Sequence, residues 1–176
     1  MEENYKDEMI VIDNVNRYNE IFGLETKHPL VSIIDLTKAT TWPTRAWFRY
    51  EVYALFLKNV KCGDIKYGRQ YYDYQDGTIV CFGPGQITDL ELIQNIQPNA
   101  HGLLFHPALI RGTSLGQEIK NYSFFSYETN EALHLSEEER QIVMDCLQKI
   151  AIELNHAIDR HSRRLICTNI RLLLDY

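Results

Sequence analysis

The chain has 176 residues, of which 45% are hydrophobic and 24% charged, so it can bury one full core and has the composition of a soluble globular protein. Its net charge of −6 argues against a nucleic-acid surface, which requires a basic stripe to neutralise phosphates. The acidic start MEENYKDEM lacks a signal-peptide core, and no apolar run reaches the ~20 residues of a membrane span. We therefore expect a cytoplasmic protein with no membrane partner.

Predicted strands occupy most of the chain before residue 136. The first 30 residues read as an arm or loop, apart from a short strand at residues 9–12. Strand patterns bounded by turn residues follow at 30–36, 47–57, 78–82, 88–96 and 102–105. Short strands separated by turns predict a mainly-β fold, either a small barrel or a sandwich.

The stretch 67–86, YGRQYYDYQDGTIVCFGPGQ, contains two short strands and two tight turns. Asp76 and Gly77 are a hairpin signal, because glycine accepts the positive φ that a tight turn needs. In the later Gly-Pro-Gly turn, Pro84 sets φ and Gly85 can take the left-handed position of a type II turn. This order of strand, turn, strand and turn predicts the corner of a small barrel.

The strongest strand pattern is WFRYEVYALFL at residues 47–57. One face is apolar or aromatic throughout, and the other combines an arginine and a glutamate, two positions apart, with flanking aromatic residues. That second face suits the mouth of an apolar pocket with a few polar groups, although a solvated outer face is the alternative. The pattern leaves open which face points inward. Candidate ligand-binding residues are Trp47, Arg49, Glu51, Tyr53 and, from the tyrosine-rich segment, Tyr72.

The apolar period changes from two to 3.6 at Ser136, which together with Glu139 forms a capping box. One amphipathic helix is predicted to run from there to about Asp159, and a second from Ser162 to the end. The second helix has more apolar surface than one packing partner requires, so we predict a dimer interface, with packing on the parent domain as the alternative. The candidate dimerisation residues are Ile150, Leu154, Ile166, Ile170 and Leu173.

Residue types that mark metal or catalytic sites are scattered along the chain. The four cysteines lack CxxC spacing and predict buried free thiols. None of the six histidines lies within residues 29–100, and the pairs spaced by five do not share a strand or helix face. The sequence contains no G-x-S-x-G elbow and no Walker loop. We therefore predict no catalytic residue, no metal site and no cofactor, and we expect a protein that is not an enzyme.

Three parts of the chain together resemble the N-terminal half of AraC-type transcription regulators. They are CGDIKYGRQYYDYQDGTIVCFGPGQ, GLLFHPALIRGTSLGQEIKNYSFFSYETNEALHLSEEER and the amphipathic helices that follow. The resemblance covers most of the chain after about residue 30. It implies a small cupin (jelly-roll) barrel with an N-terminal arm over residues 1–135. An antiparallel helix pair that dimerises the protein would then occupy residues 136–176.

The resemblance also implies a small-molecule effector inside the barrel, with a sugar as one candidate, and transcription regulation by a homodimer. DNA would be bound only through a C-terminal domain missing from this sequence. Thr88 occupies the position at which metal-binding cupins have a ligand histidine, and residues 47–57 contain no HxH pair. Two alternatives stay open: a metal-dependent cupin enzyme, such as an isomerase or dioxygenase, and a ligand-free scaffold that serves dimerisation.

Overall fold

The computed structural model describes residues 9–43, 45–58, 63–67, 70–71, 78–92, 97–122, 125, 133–156 and 159–175. Within these residues the chain forms ten β-strands and five α-helices. The strands are β1 (Met9–Ile12), β2 (Val31–Asp35), β3 (Arg45–Tyr50), β4 (Tyr53–Lys58), β5 (Gly63–Tyr67), β6 (Gln70–Tyr71), β7 (Thr78–Phe82), β8 (Ile87–Leu92), β9 (Ala100–Phe105) and β10 (Leu133–His134). The helices are α1 (Val15–Phe22), α2 (Pro107–Ile110), α3 (Ser114–Glu118), α4 (Glu137–Leu154) and α5 (Arg160–Asp175).

The described strands form two five-stranded sheets. The first sheet has the order β1-β3-β8-β5-β6, and the second has the order β10-β7-β4-β9-β2. β1 pairs with β3 in parallel, and the other described pairings are antiparallel. No pairing among the described residues joins the two sheets into a closed barrel. With five helices beside the strands, the architecture is mixed rather than mainly β.

The predicted strand 47–57 is two strands that belong to different sheets. β3 ends at Tyr50 in the first sheet, and β4 begins at Tyr53 in the second. At the crossing, the Tyr50 amide donates to the Gln86 carbonyl at 2.9 Å, and the Gly85 amide donates to the Tyr50 carbonyl at 2.6 Å. Gly85 has a φ of 90°, which confirms the predicted left-handed turn position.

The inter-sheet core is the apolar cluster between the two sheets. Tyr50 of the first sheet stacks on Phe82 of the second, with ring centroids 5.1 Å apart. Side-chain alternation continues through the crossing after β3, so the wholly apolar face of that segment points inward in both sheets. This settles the choice of face that the sequence left open. The inward residues of the segment are Phe48, Tyr50, Val52, Ala54 and Phe56.

A helix stands where the sequence predicted only an arm or loop. The Asn14 side chain caps α1 by accepting from the Arg17 amide at 2.8 Å, and Gly23 ends the helix in the left-handed conformation. Tyr18 and Phe22 enter the inter-sheet core with their rings 4.6 Å apart. A helix of eight residues is shorter than the window in which a 3.6-residue period becomes distinct, so the pattern did not separate it from a loop.

The predicted helix pair is confirmed. The Ser136 hydroxyl accepts from the Glu139 amide at 3.2 Å, and the Glu139 carboxylate accepts from the Ser136 amide at 2.8 Å, so the predicted capping box is formed. α4 ends at Leu154, earlier than predicted, and Asp159 begins the next helix by accepting from the Ser162 amide at 2.8 Å. The short connection lets α5 fold back along α4.

The helix–sheet core is the apolar cluster between the outer face of the second sheet and the helix pair. Leu55 and Leu57 of β4 point into it, because they alternate with the inward side chains of the same strand. Cys146 and Cys167 of the helix pair are buried free thiols in this core, as predicted, and burial raises the pKa of both. Cys62 lies outside the described residues.

The connector is the segment 106–122, which contains α2 and α3 and leads from the second sheet toward the helix pair. The His106 imidazole caps α2, and the Thr113 hydroxyl caps α3 by accepting from the Gly116 amide at 3.1 Å. A Cβ at Gly116 would collide with the carbonyl oxygen of Ile110, so the two short helices can pack this closely only with glycine there.

Arg163 of α5 binds the end of α2. Its guanidinium donates twice to the Leu109 carbonyl, at 2.7 and 3.0 Å. It also donates to the carbonyls of Ala108 at 3.3 Å and Arg111 at 3.2 Å. The last carbonyls of a helix have no partner within the helix, so one side chain satisfies several acceptors that would otherwise be unpaired.

Further contacts to the connector repeat along one face of α5. Residues 163, 167, 171 and 175 are each four apart, about one helical turn, and therefore lie on the same face. This face attaches the whole of α5 to the connector. Beyond Arg163, its contacts are Cys167 with the Leu109 carbonyl, Arg171 with Ser114 and Glu118, and Asp175 with Tyr122.

If α1 is part of the core rather than an arm, Phe22→Ala should lower the free energy of unfolding by about 3–5 kcal/mol, because it leaves a cavity beside Tyr18 and Phe48. Met9→Ala, at an exposed apolar position in β1, should change it by less than ~0.5 kcal/mol. Denaturant unfolding followed by circular dichroism measures both. Equal effects of the two substitutions would contradict the placement of α1.

Candidate functional site

The predicted ligand residues do not all converge. Trp47 and Arg49 project from the outer face of the first sheet, because Phe48 and Tyr50 point into the inter-sheet core. Glu51 follows on the same side, and its carboxylate lies 3.0 Å from the Arg49 Nε atom. The two side chains are 45% and 40% exposed. These three residues form an ion pair in contact with solvent beside a partly buried indole.

Tyr53 lies on the outer face of the second sheet instead. Its ring stacks on Phe105 with centroids 4.9 Å apart and meets Phe125 edge-on at 5.1 Å. Burial raises the pKa of Tyr53. Tyr72 lies outside the described residues. The structure therefore brings three of the predicted residues together, and a shared ligand-binding role for all five stays a prediction.

One polar residue beside Trp47 was not predicted. Asp89 lies directly opposite Trp47 in the pairing of β3 with β8 and is 8% exposed. The Trp47 Nε1 atom and the Asp89 Oδ1 atom are buried, and neither has a hydrogen-bond partner among the residues that the structure describes. Buried polar atoms are normally bonded, so each of these two atoms has an unused capacity for one hydrogen bond. A single aspartate in a strand has no sequence signal that would have selected it.

The space between the sheets, where an effector inside a barrel would lie, holds aromatic side chains. Tyr18 packs against Phe22, Phe56 and Phe48, with ring centroids 4.6, 5.7 and 6.4 Å apart. Burial raises the pKa of Tyr18 and of Tyr50, so both phenols are neutral at physiological pH. This packing gives the inter-sheet core a structural role.

A cleft that we call the sheet–helix groove lies between α4 and the outer face of the second sheet at its edge strand β2. Its volume is about 710 Å³, within the range of small-molecule sites. Ile33 of β2 faces α4, and Met144, Leu147 and Ala151 of α4 contribute the opposite apolar wall. The groove therefore has one wall on the sheet and the other on the helix pair.

Charged side chains of both signs surround the groove. The cations are Lys27, Lys38 and Arg140, and the carboxylates are Glu25, Asp35 and Asp145. His101 adds an imidazole, with its Nδ1 atom 4.0 Å from Asp35 Oδ1. Three formal charges of each sign make the rim electrically balanced. Such a rim offers both donors and acceptors and selects against a strongly charged ligand.

The five predicted dimerisation residues are buried within the chain. Ile150 and Leu154 of α4 and the three predicted residues of α5 all belong to the helix–sheet core. As placed, they stabilise the packing of the helix pair on its own sheet. Among the described residues of the pair, the exposed large apolar side chains are Ile152, at 48%, and Leu172, at 41%. Dimerisation through the five buried residues stays a prediction.

Histidines and cysteines do not cluster in the part of the chain described here. Among the described residues, no three His, Cys, Asp or Glu side chains form a group that could hold a metal ion. Thr88, at the position of a cupin ligand histidine, is buried in β8. Within the same residues, no helix combines the length and apolar character required to cross a bilayer.

No protein-family model and no curated protein sequence matches the chain. Among solved structures, it is similar to the AraC-like transcriptional activator CuxR, at 12% identity and a TM-score of 0.43, over 71% of this chain and 41% of that one. It is also similar to an apo variant of ToxT from Vibrio cholerae strain SCE256, at 9% identity and a TM-score of 0.45, over 80% and 52% of the two chains. The chain thus spans about half, or less, of the length of these proteins. TM-scores below 0.5 do not establish a shared fold.

His28 anchors the segment that forms one end of the sheet–helix groove. Its Nδ1 atom accepts from the Leu30 amide at 2.9 Å, and burial lowers its pKa from the usual 6.5. The unfolded chain therefore binds this proton more readily, and the stability that neutral His28 provides is lost as the pH falls below about 6.5. We expect His28→Gln to reduce the drop in melting temperature between pH 7.5 and 5.5. An identical drop in both proteins would contradict the assignment.

Proposed function

We propose that the chain is the effector-sensing and dimerisation domain of an AraC-type transcription regulator. In this proposal the two sheets are a cupin-like jelly roll, and the helix pair joins two copies in the cytoplasm. DNA is bound by a further domain outside this sequence, and the chain itself catalyses no reaction. A metal-dependent cupin enzyme is the less favoured alternative, since Thr88 replaces the ligand histidine of that motif.

The main support for this proposal is the position of one segment that resembles the AraC-type regulators. This segment, FHPALIRGTSLGQEIKNYSFF, contains the connector. The connector follows the second sheet, and α5 binds to it through Arg163. Its Leu109 carbonyl binds Arg163, and its Gly116 leaves no room for a Cβ. One segment of the resemblance therefore lies at a joint between sheets and helices. In a regulator of this type, a signal from the effector would have to pass through that joint to reach the helix pair.

We place the effector in the sheet–helix groove. The groove has an apolar wall for a ligand ring or carbon skeleton and a balanced polar rim for hydroxyl groups, which suits a neutral polar compound such as a sugar. A ligand there touches β2 and α4 at once. Binding would favour whichever position of the helix pair gives the better contacts, and that difference in affinity is what a switch requires.

A substitution that fills the groove tests the effector site. Ala151→Trp introduces a large ring between α4 and β2 and should weaken binding of any ligand in the groove by at least about tenfold. Calorimetric titration against a panel of neutral monosaccharides identifies a binding sugar and compares the two proteins.

The matched control is Lys149→Trp, which places the same ring on an exposed position of the same helix. It should leave the affinity unchanged. If no sugar binds the unmodified chain, the sugar assignment is wrong. If Ala151→Trp binds as tightly as Lys149→Trp, the site lies elsewhere.

For the dimer, we propose the exposed outer surface of the helix pair, which carries Ile152 near the end of α4 and Leu172 near the end of α5. The five residues predicted from sequence lie beneath this surface, where they hold both helices in place. An interface built on exposed residues allows two copies to associate without separating the helices from the sheet.

Ile152→Lys combined with Leu172→Lys should convert a dimer into a monomer, because two lysines on each copy would be desolvated at the interface. Leu133→Lys makes the same change at an exposed position in β10 and should leave the dimer intact. Sedimentation equilibrium at several concentrations distinguishes these outcomes. A strictly monomeric parent protein at high concentration would remove dimerisation from the proposal.

A further inference from the structure

A second cavity, of about 420 Å³, lies between α5 and the start of α3. We call it the arginine groove, because four of the described side chains that line it are arginines and none of those described is acidic. The whole chain has 18 lysines and arginines and a net charge of −6, so this groove is a positively charged surface on a molecule that is negatively charged overall. Guanidinium groups of like charge repel one another, and a bound anion would relieve that repulsion. The four are Arg160, Arg163, Arg164 and Arg171.

Structural roles account for only two of these arginines. Arg163 binds the carbonyls of the connector, and Arg171 forms an ion pair with Glu118 at 2.6 Å. Arg160 and Arg164 are exposed, and their guanidinium groups have no hydrogen-bond or ion-pair partner among the described residues. The donors of two guanidinium groups therefore remain available in the first two turns of α5.

The nearby polar groups leave this positive charge largely uncompensated. Glu118 is already paired with Arg171, and the Asp159 carboxylate caps α5 by accepting from the Ser162 amide at 2.8 Å. The Ser114 hydroxyl accepts from Arg171 at 3.1 Å, so its own proton can be donated to a ligand oxygen. The groove thus offers donors from α5 and from α3 to one bound group.

We infer that the arginine groove binds a small molecule that carries a phosphate group. The planar fork of a guanidinium matches the oxygens of a phosphate, and several such forks on one cavity favour a multiply charged anion. The volume lies within the ~300–1,000 Å³ of small-molecule sites. A ligand there would bridge α5 and the connector and tighten their joint. This site is separate from the sheet–helix groove, and its existence does not depend on the function proposed above.

Calorimetric titration with inorganic pyrophosphate, AMP and glucose 6-phosphate tests the inference, with adenosine and glucose as uncharged controls. We expect saturable binding of the phosphate compounds alone, with an affinity that falls as the salt concentration rises. The ratio of the affinities for AMP and glucose 6-phosphate shows which carrier the groove prefers. Absence of saturable binding by all three phosphate compounds would overturn the inference.

The double variant Arg160→Gln and Arg164→Gln should bind pyrophosphate about tenfold more weakly or worse, because each lost charge-assisted hydrogen bond contributes to affinity. Arg45→Gln removes an arginine from the exposed surface of β3 and should bind as the parent does. The two arginines are exposed, so circular dichroism and melting temperature should not change.

Unchanged binding in the double variant would place the anion elsewhere. Tighter binding of a DNA duplex than of AMP would assign the arginines to a nucleic-acid surface instead.

Discussion

In addition to the helix–sheet core, one guanidinium group joins α5 to the connector that follows the second sheet. Arg163 satisfies three backbone carbonyls at the end of α2, and in return the connector sets the position of α5 over the second sheet. A buried carbonyl left without a donor costs about 1–3 kcal/mol, and the bonds to Ala108 and Leu109 are partly buried, so this contact contributes more to the docking of α5 than an exposed ion pair would. The arginine groove lies beside this contact, since Arg163 is one of its lining residues.

The two grooves lie on different helices of the same pair. The sheet–helix groove opens between α4 and β2, and the arginine groove opens between α5 and α3. Among the described lining residues, the charges of the first groove are balanced and those of the second are all arginines, so the two grooves suit different ligand chemistries. Each lies where the helix pair meets the rest of the chain. A ligand in either groove would therefore act on the same element, and the two would influence each other through it.

The sequence patterns correctly predicted the features of the fold whose geometry depends only on residues close together in the chain. The capping box at Ser136 and the turn at Gly85 form as expected, because their hydrogen bonds and dihedral angles are decided within a few residues. The crossing after Tyr50 was not predicted, since it depends on Gln86, which is remote in sequence. The groove walls and the position of Asp89 arise in the same way from packing between distant segments. Periodicity also could not show that the apolar stripe on α5 is covered by the chain's own sheet.

The second sheet contributes to both cores. Along β4, Phe56 enters the inter-sheet core and Leu57 enters the helix–sheet core. Along β7, Val80 enters the inter-sheet core and Ile79 enters the helix–sheet core. A strand that leaves the sheet would therefore remove side chains from both cores at once. The free energies of the two cores are coupled through this shared wall, so the chain is expected to unfold cooperatively as one unit, even though its sequence changes period at residue 136.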